Sequence, residues 1–259
     1  MPAAESAAAL LGAGAVLAVL TTYPFLATTL SYRQRDNGLA FIVLLMGVGV
    51  WNGFLAAQLL TDLPRVASYF LGLSMVGALL AALGWFLFAT TASSTPDVGA
   101  PRLVYGLVAL FVGADISLLV TNPVHGWFWQ PPTAAGPATF AAVDPTVGYW
   151  VHSLLVVTLF LAGMLLFGAA WEGGHRPRYA AGYTIGALVT AVAVIGGNVA
   201  APGGWTVAPL VAVWLTSVGW VQAQRGAVVS VVWVHARRLG AAVSGSAVAR
   251  LRPDDGSLR

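Results

Sequence analysis

The 259-residue sequence contains no cysteine and no lysine, and only 8% of its residues are charged. Without cysteine the chain forms neither disulfides nor thiolate metal ligands, and it has no thiol redox chemistry. Without lysine it cannot form the Schiff base that links retinal to a protein, because that bond requires a lysine amine. Soluble proteins have about a quarter of their residues charged, so this composition predicts a protein that lies mostly in lipid.

Long apolar runs make up most of the sequence. Seven of them lie at roughly 4–30, 38–60, 66–90, 103–122, 148–171, 179–200 and 205–223. Each is close to the ~20 residues with which a helix crosses about 30 Å of hydrocarbon. They are too long and too evenly apolar for the strands of a membrane barrel. The predicted fold class is therefore an all-α integral membrane protein, a bundle of seven transmembrane helices.

The arginines predict the orientation of this bundle. Eleven of them come after the first, third, fifth and seventh runs: Arg33, Arg35, Arg102, Arg176, Arg178, Arg225, Arg237, Arg238, Arg250, Arg252 and Arg259. Only Arg65 lies on the other side. Since positive residues concentrate in cytoplasmic loops, we expect a multi-pass plasma-membrane protein with its N-terminus outside and its C-terminus in the cytoplasm. The formal net charge of +3 then indicates contact with anionic lipid in the bilayer rather than with nucleic acid.

The chain is predicted to comprise a seven-helix transmembrane domain over 1–225 and a basic cytoplasmic tail over 226–259. The apolar stretch 228–234 in the tail is too short to span a membrane, and basic residues come after it. We expect the tail to form a helix in the cytoplasmic interface. The alternative is a continuation of the seventh span as a coupling helix that dimerises or docks a partner.

The connection over 123–147 is the longest between the predicted spans. Loops of this length tend to be functional or disordered. Its first half is aromatic and its second half is rich in Ala, Thr and Pro. We therefore expect the first half to pack on the bundle and the second half to be mobile.

Asp115 is the only acidic residue in the middle of a predicted span. A carboxylate there is costly, and such residues usually face the bundle interior and mark a pathway, a relay or a ligand site. The alternative is a structural Asp that is hydrogen-bonded to Asn, Ser or Thr of neighbouring spans. No basic residue within the spans is expected to pair with it.

Other polar and aromatic side chains crowd the predicted outer half of the bundle. With Asp115 they form a candidate ligand site, whose further members are Trp51, Gln58, Asn122, His125, Trp127, Trp129, Trp150, His152 and Asn198. The tryptophans fit either an aromatic belt at the membrane interface or the walls of a lipophilic ligand pocket.

The two histidines of this set can approach each other across the ends of spans four and five. However, no HxxxH or HExxH spacing holds His125 and His152 together as metal ligands. We expect each to cap a helix or to bond to backbone, and the sequence predicts neither a metal nor a cofactor. There is also no phosphate-binding Gly loop, no Ser-His-Asp set and no pair of intramembrane aspartates. The chain is therefore predicted not to be an enzyme.

Residues 121–129, Thr-Asn-Pro-Val-His-Gly-Trp-Phe-Trp, resemble the T-N-P-x-H-x-x-F-W signature of a known family, the seven-transmembrane sensor region at the N-terminus of many histidine kinases. The match continues at positions in spans two, five and six: Trp51, Tyr149, Trp150, His152 and Asn198. It covers about residues 10–225. The resemblance implies an extracytoplasmic sensor whose bundle receives a signal and passes a helix movement to cytoplasmic modules.

The chain departs from that family after span seven. Residues 224–259 contain neither a histidine in a phosphoacceptor context nor a Gly-rich ATP lid. We therefore expect no kinase activity from this chain. It is either a fragment of a longer kinase or a stand-alone sensor that acts through a partner.

Together these patterns favour a sensor that detects an unknown small or lipophilic ligand and signals through spans six and seven and the tail to a cytoplasmic partner or a second copy. The alternative is a small proton- or solute-coupled transporter that uses Asp115. That function requires a polar path to the cytoplasm, and the inner half of the bundle offers few polar residues. A scaffold that only gathers partners is a third hypothesis.

Overall fold

A computed structural model describes residues 2–30, 38–92, 102–130, 143–172, 180–200 and 207–213. Over these residues the protein is helical apart from one short pair of strands. Its long helices are α1 (Pro2–Leu30), α2 (Gly38–Leu60), α3 (Pro64–Ala92), α4 (Arg102–His125), α5 (Val147–Glu172) and α6 (Ala180–Ala200). The strands β1 (Trp129–Gln130) and β2 (Asp144–Pro145) lie between α4 and α5. Residues 208–213 are also helical.

Within the described part of the chain, five helices are long and apolar enough to cross a membrane. Their apolar stretches are Gly38–Leu60, Arg65–Thr91, Leu103–His125, Val147–Ala169 and Gly182–Ala200, and α1 adds a shorter one, Ala9–Tyr23. The prediction of a helical, multi-pass membrane protein is thus confirmed. The count of seven spans and the orientation stay predictions, because most of 205–223 and all of the tail 226–259 lie outside the described residues.

The helices are arranged around α3. This helix contacts α2, α4 and α5, while α1 lies against α2 and α6 lies against α5. Residues close in space are therefore not always close in sequence, since α3 and α5 touch directly although α4 comes between them in the chain.

The α2–α3 hairpin is packed backbone against backbone. Three glycines lie at this contact: Gly47 on α2, and Gly77 and Gly84 on α3. A Cβ atom on any of them would lie 2.2 to 2.3 Å from a backbone nitrogen of the facing helix. Small residues allow membrane helices to approach closely and to gain van der Waals contacts along their whole length. We call this contact the glycine seam.

An aromatic cluster around Trp85 joins α3 to α5 and α6. The Trp85 Nε1–H donates to the Phe160 carbonyl oxygen at 2.9 Å. Its ring is stacked on Phe167 at a centroid distance of 5.2 Å, and Phe167 is in turn stacked on Tyr183 at 5.6 Å. All four side chains are buried, so this part of the bundle is filled by close-packed aromatic rings.

Helix α4 is attached much more loosely. In its most apolar 18-residue stretch 17% of the residues are buried, whereas the corresponding value for α3 is 67%. Large apolar side chains such as Leu110 and Phe111 are exposed on α4. In a bilayer these side chains contact lipid. The opposite side of α4 packs on the bundle through a narrow stripe of residues that includes Tyr105, Val108, Val112 and Ile116.

Candidate functional site

The chain after α4 is shaped by one amide side chain and one glycine. Gly126 has a φ of 64°, in the left-handed region that favours glycine, and its N–H donates to the Asn122 carbonyl oxygen at 2.7 Å. The Asn122 Oδ1 accepts the Phe128 N–H at 2.8 Å, and the Asn122 Nδ2 donates to the Trp129 carbonyl oxygen at 3.4 Å. Asn122 is buried, so it holds the chain in a turn back towards the bundle.

His125 caps the end of α4 in a neutral form. The Trp127 backbone N–H donates to the His125 Nδ1 at 3.0 Å. Because a backbone amide is always the donor, this nitrogen carries no proton. The ring proton is therefore on Nε2, which lies 3.1 Å from the Thr121 Oγ1 and donates to it. Both ring nitrogens are thus engaged within the turn, as expected of a capping histidine.

The aromatic half of the α4–α5 connection packs on the bundle, as predicted. Phe128 and Trp129 are buried in an apolar cluster with side chains of α3, α4 and α5. The Trp129 ring lies over Gly72 of α3, 3.3 Å from where a Cβ of that residue would be. Residues 131–142 of the connection lie outside the described residues.

The two ends of this connection are fastened to each other. β1 and β2 pair in antiparallel register, with Trp129 opposite Pro145. Just beyond them the Gly148 N–H donates to the Trp127 carbonyl oxygen at 3.1 Å. Gly148 has no room for a side chain, because a Cβ there would lie 2.6 Å from that same oxygen. The start of α5 is therefore fixed close against the turn that ends α4.

Deeper in the bundle, α4 and α5 are linked by a buried hydrogen bond between a carboxyl group and an imidazole. The Asp115 Oδ2 and the His152 Nδ1 are 2.6 Å apart, with side-chain exposures of 8% and 4%. The expectation that no basic residue within the spans pairs with Asp115 is therefore wrong. His152 lies five residues into α5, about 7.5 Å along the helix at 1.5 Å per residue, and not at its surface end. Phe128 covers the imidazole edge-on, with ring centroids 6.4 Å apart.

His152 also borders a small interior cavity of about 50 Å³ between α2, α3, α5 and α6. Its polar lining residues are Trp51, Gln58, Ser74, Tyr149, His152, Ser153 and Asn198. A space of this size has room for a water molecule and is too small for an organic ligand. We call it the interior cavity.

A hydrogen-bond network on one side of this cavity ties α5 to α6. The Tyr149 hydroxyl donates to the Asn198 Oδ1 at 2.8 Å, and the Asn198 Nδ2 donates to the Ser153 Oγ at 2.8 Å. The Ser153 hydroxyl donates in turn to the Tyr149 carbonyl oxygen one helical turn earlier, at 2.8 Å. These hydrogen bonds therefore join the first turns of α5 to the last turn of α6.

The second space is a groove of about 580 Å³ between α4 and α5, below the turn. Apolar and aromatic residues form much of its wall, and Asp115 lies on the same wall. Its lining residues are Asp115, Leu118, His125, Gly126, Trp127, Phe128, Gln130, Thr146, Val147, Gly148 and Val151. Its volume is within the range of small-molecule sites. We call it the α4–α5 groove.

The Asp115–His152 pair lies between these two spaces. Asp115 lines the groove and His152 lines the interior cavity, and the hydrogen bond between them connects the two linings.

The ten predicted site residues are divided among these features. Three line the groove: Asp115, His125 and Trp127. Four line the interior cavity: Trp51, Gln58, His152 and Asn198. Asn122 and Trp129 support the turn, while Trp150 is 42% exposed and lines neither space. His125 bonds to backbone within the turn, as expected, whereas the same expectation for His152 is wrong, since His152 bonds to Asp115.

Sequence reasoning missed Ser153, Gln130 and Thr146. Ser153 lies four residues after Tyr149, so the helical period alone places both on one face of α5, and this signal was available. Gln130 and Thr146 reach the groove only because the connection folds back on itself, which no local pattern shows. Among the described residues no group of three or more His, Cys, Asp or Glu side chains is placed to hold a metal ion.

Comparison with known proteins gave one result. Residues 9–230 match the family model described as "N-terminal 7TM region of histidine kinase". Neither the curated proteins nor the solved structures gave a match. The family match contains every helix from α2 to α6, both strands, the groove and the cavity.

Proposed function

The chain belongs to the family of N-terminal seven-transmembrane regions of histidine kinases, and we propose that it is a sensor whose signal molecule binds in the α4–α5 groove. The family match confirms the resemblance found in residues 121–129. The matched region is a membrane sensor module and not a catalytic domain, and we propose no catalytic activity for this chain. With the predicted orientation, the groove faces the extracytoplasmic side.

The proposal depends mainly on the position of Asp115. Its carboxylate lies on the wall of a ligand-sized groove and is hydrogen-bonded to a residue of a second, interior space. Intramembrane carboxylates usually serve a pathway, a relay or a ligand site. A groove that ended in a plain apolar wall would bind molecules, but it would have no polar connection to the remaining helices.

The signal is proposed to begin as a movement of α4. This helix contacts the bundle through a narrow apolar stripe, the Asp115–His152 pair and the terminal turn, whereas the α2–α3 hairpin is packed backbone against backbone at the glycine seam. A ligand in the groove contacts α4 on one side and α5 on the other. It shifts the protein between two arrangements only if it binds one of them better.

The signal is then proposed to reach α6. His152 lies on the same helix as Tyr149 and Ser153, which bond to Asn198 of α6. Displacement of His152 changes the interior cavity and the position of this network. The later steps, through span seven and the tail to a cytoplasmic partner, are proposed on the resemblance to histidine kinases alone.

We favour the sensor over the transporter that uses Asp115. Transport requires a polar path from the interior cavity to the opposite face of the membrane. Beyond the cavity, the described side chains of α3, α5 and α6 form the close-packed aromatic cluster around Trp85. No continuous polar path passes through that part of the described chain.

The test uses the absence of cysteine, which allows spin labels to be attached without removing native thiols. A Val124→Cys/Leu60→Cys pair reports the position of α4 relative to α2, and a Leu39→Cys/Leu165→Cys pair is the reference between α2 and α5. All four side chains are exposed. In nanodiscs, Asp115→Asn should broaden the α4–α2 distance distribution measured by pulsed electron resonance and leave the reference unchanged. If both distributions stay the same, α4 is not the moving element and the proposal fails.

A further inference from the structure

One oxygen of the Asp115 carboxylate is not used by the described part of the protein. Oδ2 is bonded to His152, which donates to it whether the imidazole is neutral or charged. Oδ1 has no hydrogen-bond partner among the described residues, although the side chain is only 8% exposed. A carboxylate accepts hydrogen bonds at both oxygens, so Oδ1 is able to accept one from a bound molecule. This second oxygen belongs to a residue that lines the groove.

The described lining of the groove offers nothing of opposite charge to that oxygen. Its other side chains with polar atoms are His125, Trp127, Gln130 and Thr146. His125 is neutral, with both ring nitrogens engaged, and the Thr146 hydroxyl is bonded to the Trp127 carbonyl oxygen. Asp115 is thus the only acidic side chain of the described lining, and no Arg or Lys lies there to neutralise it. An ionised Asp115 repels an anionic ligand, and a ligand without a donor would leave Oδ1 unpaired.

The rest of the groove fits an apolar body. Leu118 of α4 and Val151 of α5 face the same space, and Trp127 and Phe128 lie at its outer part. Trp127 is 61% exposed, so one of its faces is available to a bound molecule. Asp115 lies ten residues before the end of α4, about 15 Å along the helix at 1.5 Å per residue. A ligand that fills the groove therefore has one polar end near Asp115 and a hydrophobic remainder towards the turn.

Given the sensor function proposed above, on which this inference rests, we propose that the ligand is a small amphipathic organic amine. Its ammonium group donates to the Asp115 Oδ1, and its apolar part lies between Leu118 and Val151 and under Trp127. An ammonium–carboxylate bond in a site of low dielectric is a charge-assisted hydrogen bond, among the strongest that proteins form. The ammonium group and His152 then bond to the two oxygens of one carboxylate. Through this shared carboxylate, binding of the amine affects His152 and so reaches α5.

The experiment compares three probes of similar size and different charge. 2-Phenylethylamine, 3-phenylpropan-1-ol and 3-phenylpropionate are titrated by calorimetry into the full chain in nanodiscs at neutral pH. The amine should bind, and the alcohol and the carboxylate should bind more weakly. Asp115→Asn should reduce affinity for the amine roughly tenfold or more, as expected for a lost hydrogen bond to a charge. Asp62→Asn is the matched control, because Asp62 is exposed and lies outside the groove.

A second variant keeps the test valid if Asp115→Asn folds poorly. Val151→Trp fills the groove without touching the carboxylate and should also weaken binding of the amine. The inference is overturned if the alcohol or the carboxylate binds as tightly as the amine, if neither groove variant weakens binding, or if the amine does not bind at all. None of these outcomes affects the spin-label test of α4, which uses no ligand, so the failure of this inference is distinguishable from the failure of the sensor proposal.

Discussion

The α2–α3 hairpin and helix α4 show two ways of holding a helix in a membrane protein. The hairpin is joined along its length by the glycine seam, where backbones touch and no side chain intervenes. Helix α4 is joined by a narrow apolar stripe around Val112, by the Asp115–His152 pair and by the turn that Asn122 organises at its end. Its remaining surface is largely exposed to the surroundings of the protein.

The difference matters because lipid is as apolar as the helix surface, so no hydrophobic force holds membrane helices together. A helix with many close van der Waals contacts is fixed, and it moves only if all of them are lost together. A helix with few contacts is displaced at a lower cost in free energy. The seam therefore forms a fixed frame, and in the proposed function α4 is the helix that a bound molecule displaces.

The largest effect on the free energy of unfolding is expected from a substitution in the glycine seam. Gly84→Ala would place a Cβ atom 2.2 Å from the Leu44 backbone nitrogen. Neither atom can move unless the backbone of its helix shifts. Overpacking of this kind should lower the free energy of unfolding by about 3 kcal/mol. The quantity is measured by titration with sodium dodecyl sulfate in mixed micelles.

Gly113→Ala on α4 is the matched control, because nothing lies within 4 Å of a Cβ at that position. Its free energy of unfolding should change by less than about 0.5 kcal/mol. If the two alanine variants are equally stable, the glycine seam does not hold α2 and α3 together, and the contrast with α4 is lost.

A smaller effect on stability is expected when the hydrogen bond that fixes the turn after α4 is removed. Asn122→Ala leaves the buried Phe128 N–H without its acceptor, and an unsatisfied buried group costs about 1–3 kcal/mol. Amide exchange of Phe128, measured by mass spectrometry on the variant in nanodiscs, should become faster. Gln130→Ala, at an exposed position of the same turn, should leave that exchange rate near the native value. If the rate is unchanged in Asn122→Ala as well, the turn is held by something other than this amide.

The smallest effects on stability are expected at two exposed tryptophans. Trp127→Ala and Trp150→Ala should each change the free energy of unfolding by less than about 0.5 kcal/mol, because both rings are largely outside the core. The two differ in position, since only Trp127 lines the groove. Trp127→Ala should therefore weaken binding of 2-phenylethylamine several-fold in the same calorimetric titration, while Trp150→Ala leaves it unchanged. Equal loss in both variants would mean that the aromatic residues form an interface belt and not a ligand wall.

Much of the architecture could be predicted from composition and from the length of the apolar runs. Spans two to six begin and end within a few residues of the helices α2 to α6, because each run must satisfy its own backbone in lipid. The motif in residues 121–129 was enough to identify the family. The placement of Asp115 in the interior followed from the cost of a carboxylate in hydrocarbon.

The details of the site could not be predicted, because they depend on how neighbouring helices are offset along their axes. Sequence spacing relates Asp115 to Asn122 on one helix, but it does not show that His152 of the next helix lies at the same level. For the same reason, a single expected cluster is in fact divided between a groove and a cavity. The glycines are frequent throughout the sequence, and only the contact geometry shows that Gly47, Gly77 and Gly84 form a seam while Gly113 does not.

The pairing of Asp115 with His152 also has a consequence for biogenesis. During synthesis α4 enters the bilayer before α5 exists, so its aspartate arrives without its partner. An unpaired Asp at the centre of a helix opposes insertion by about 2.5–3.5 kcal/mol. In glycosylation mapping, a chain that stops after α4 should insert that helix less completely than one that continues through α5, and equal insertion would contradict this. With that result the two helices enter the membrane as one unit, and the residue that we propose for the ligand site also sets the order in which the protein is assembled.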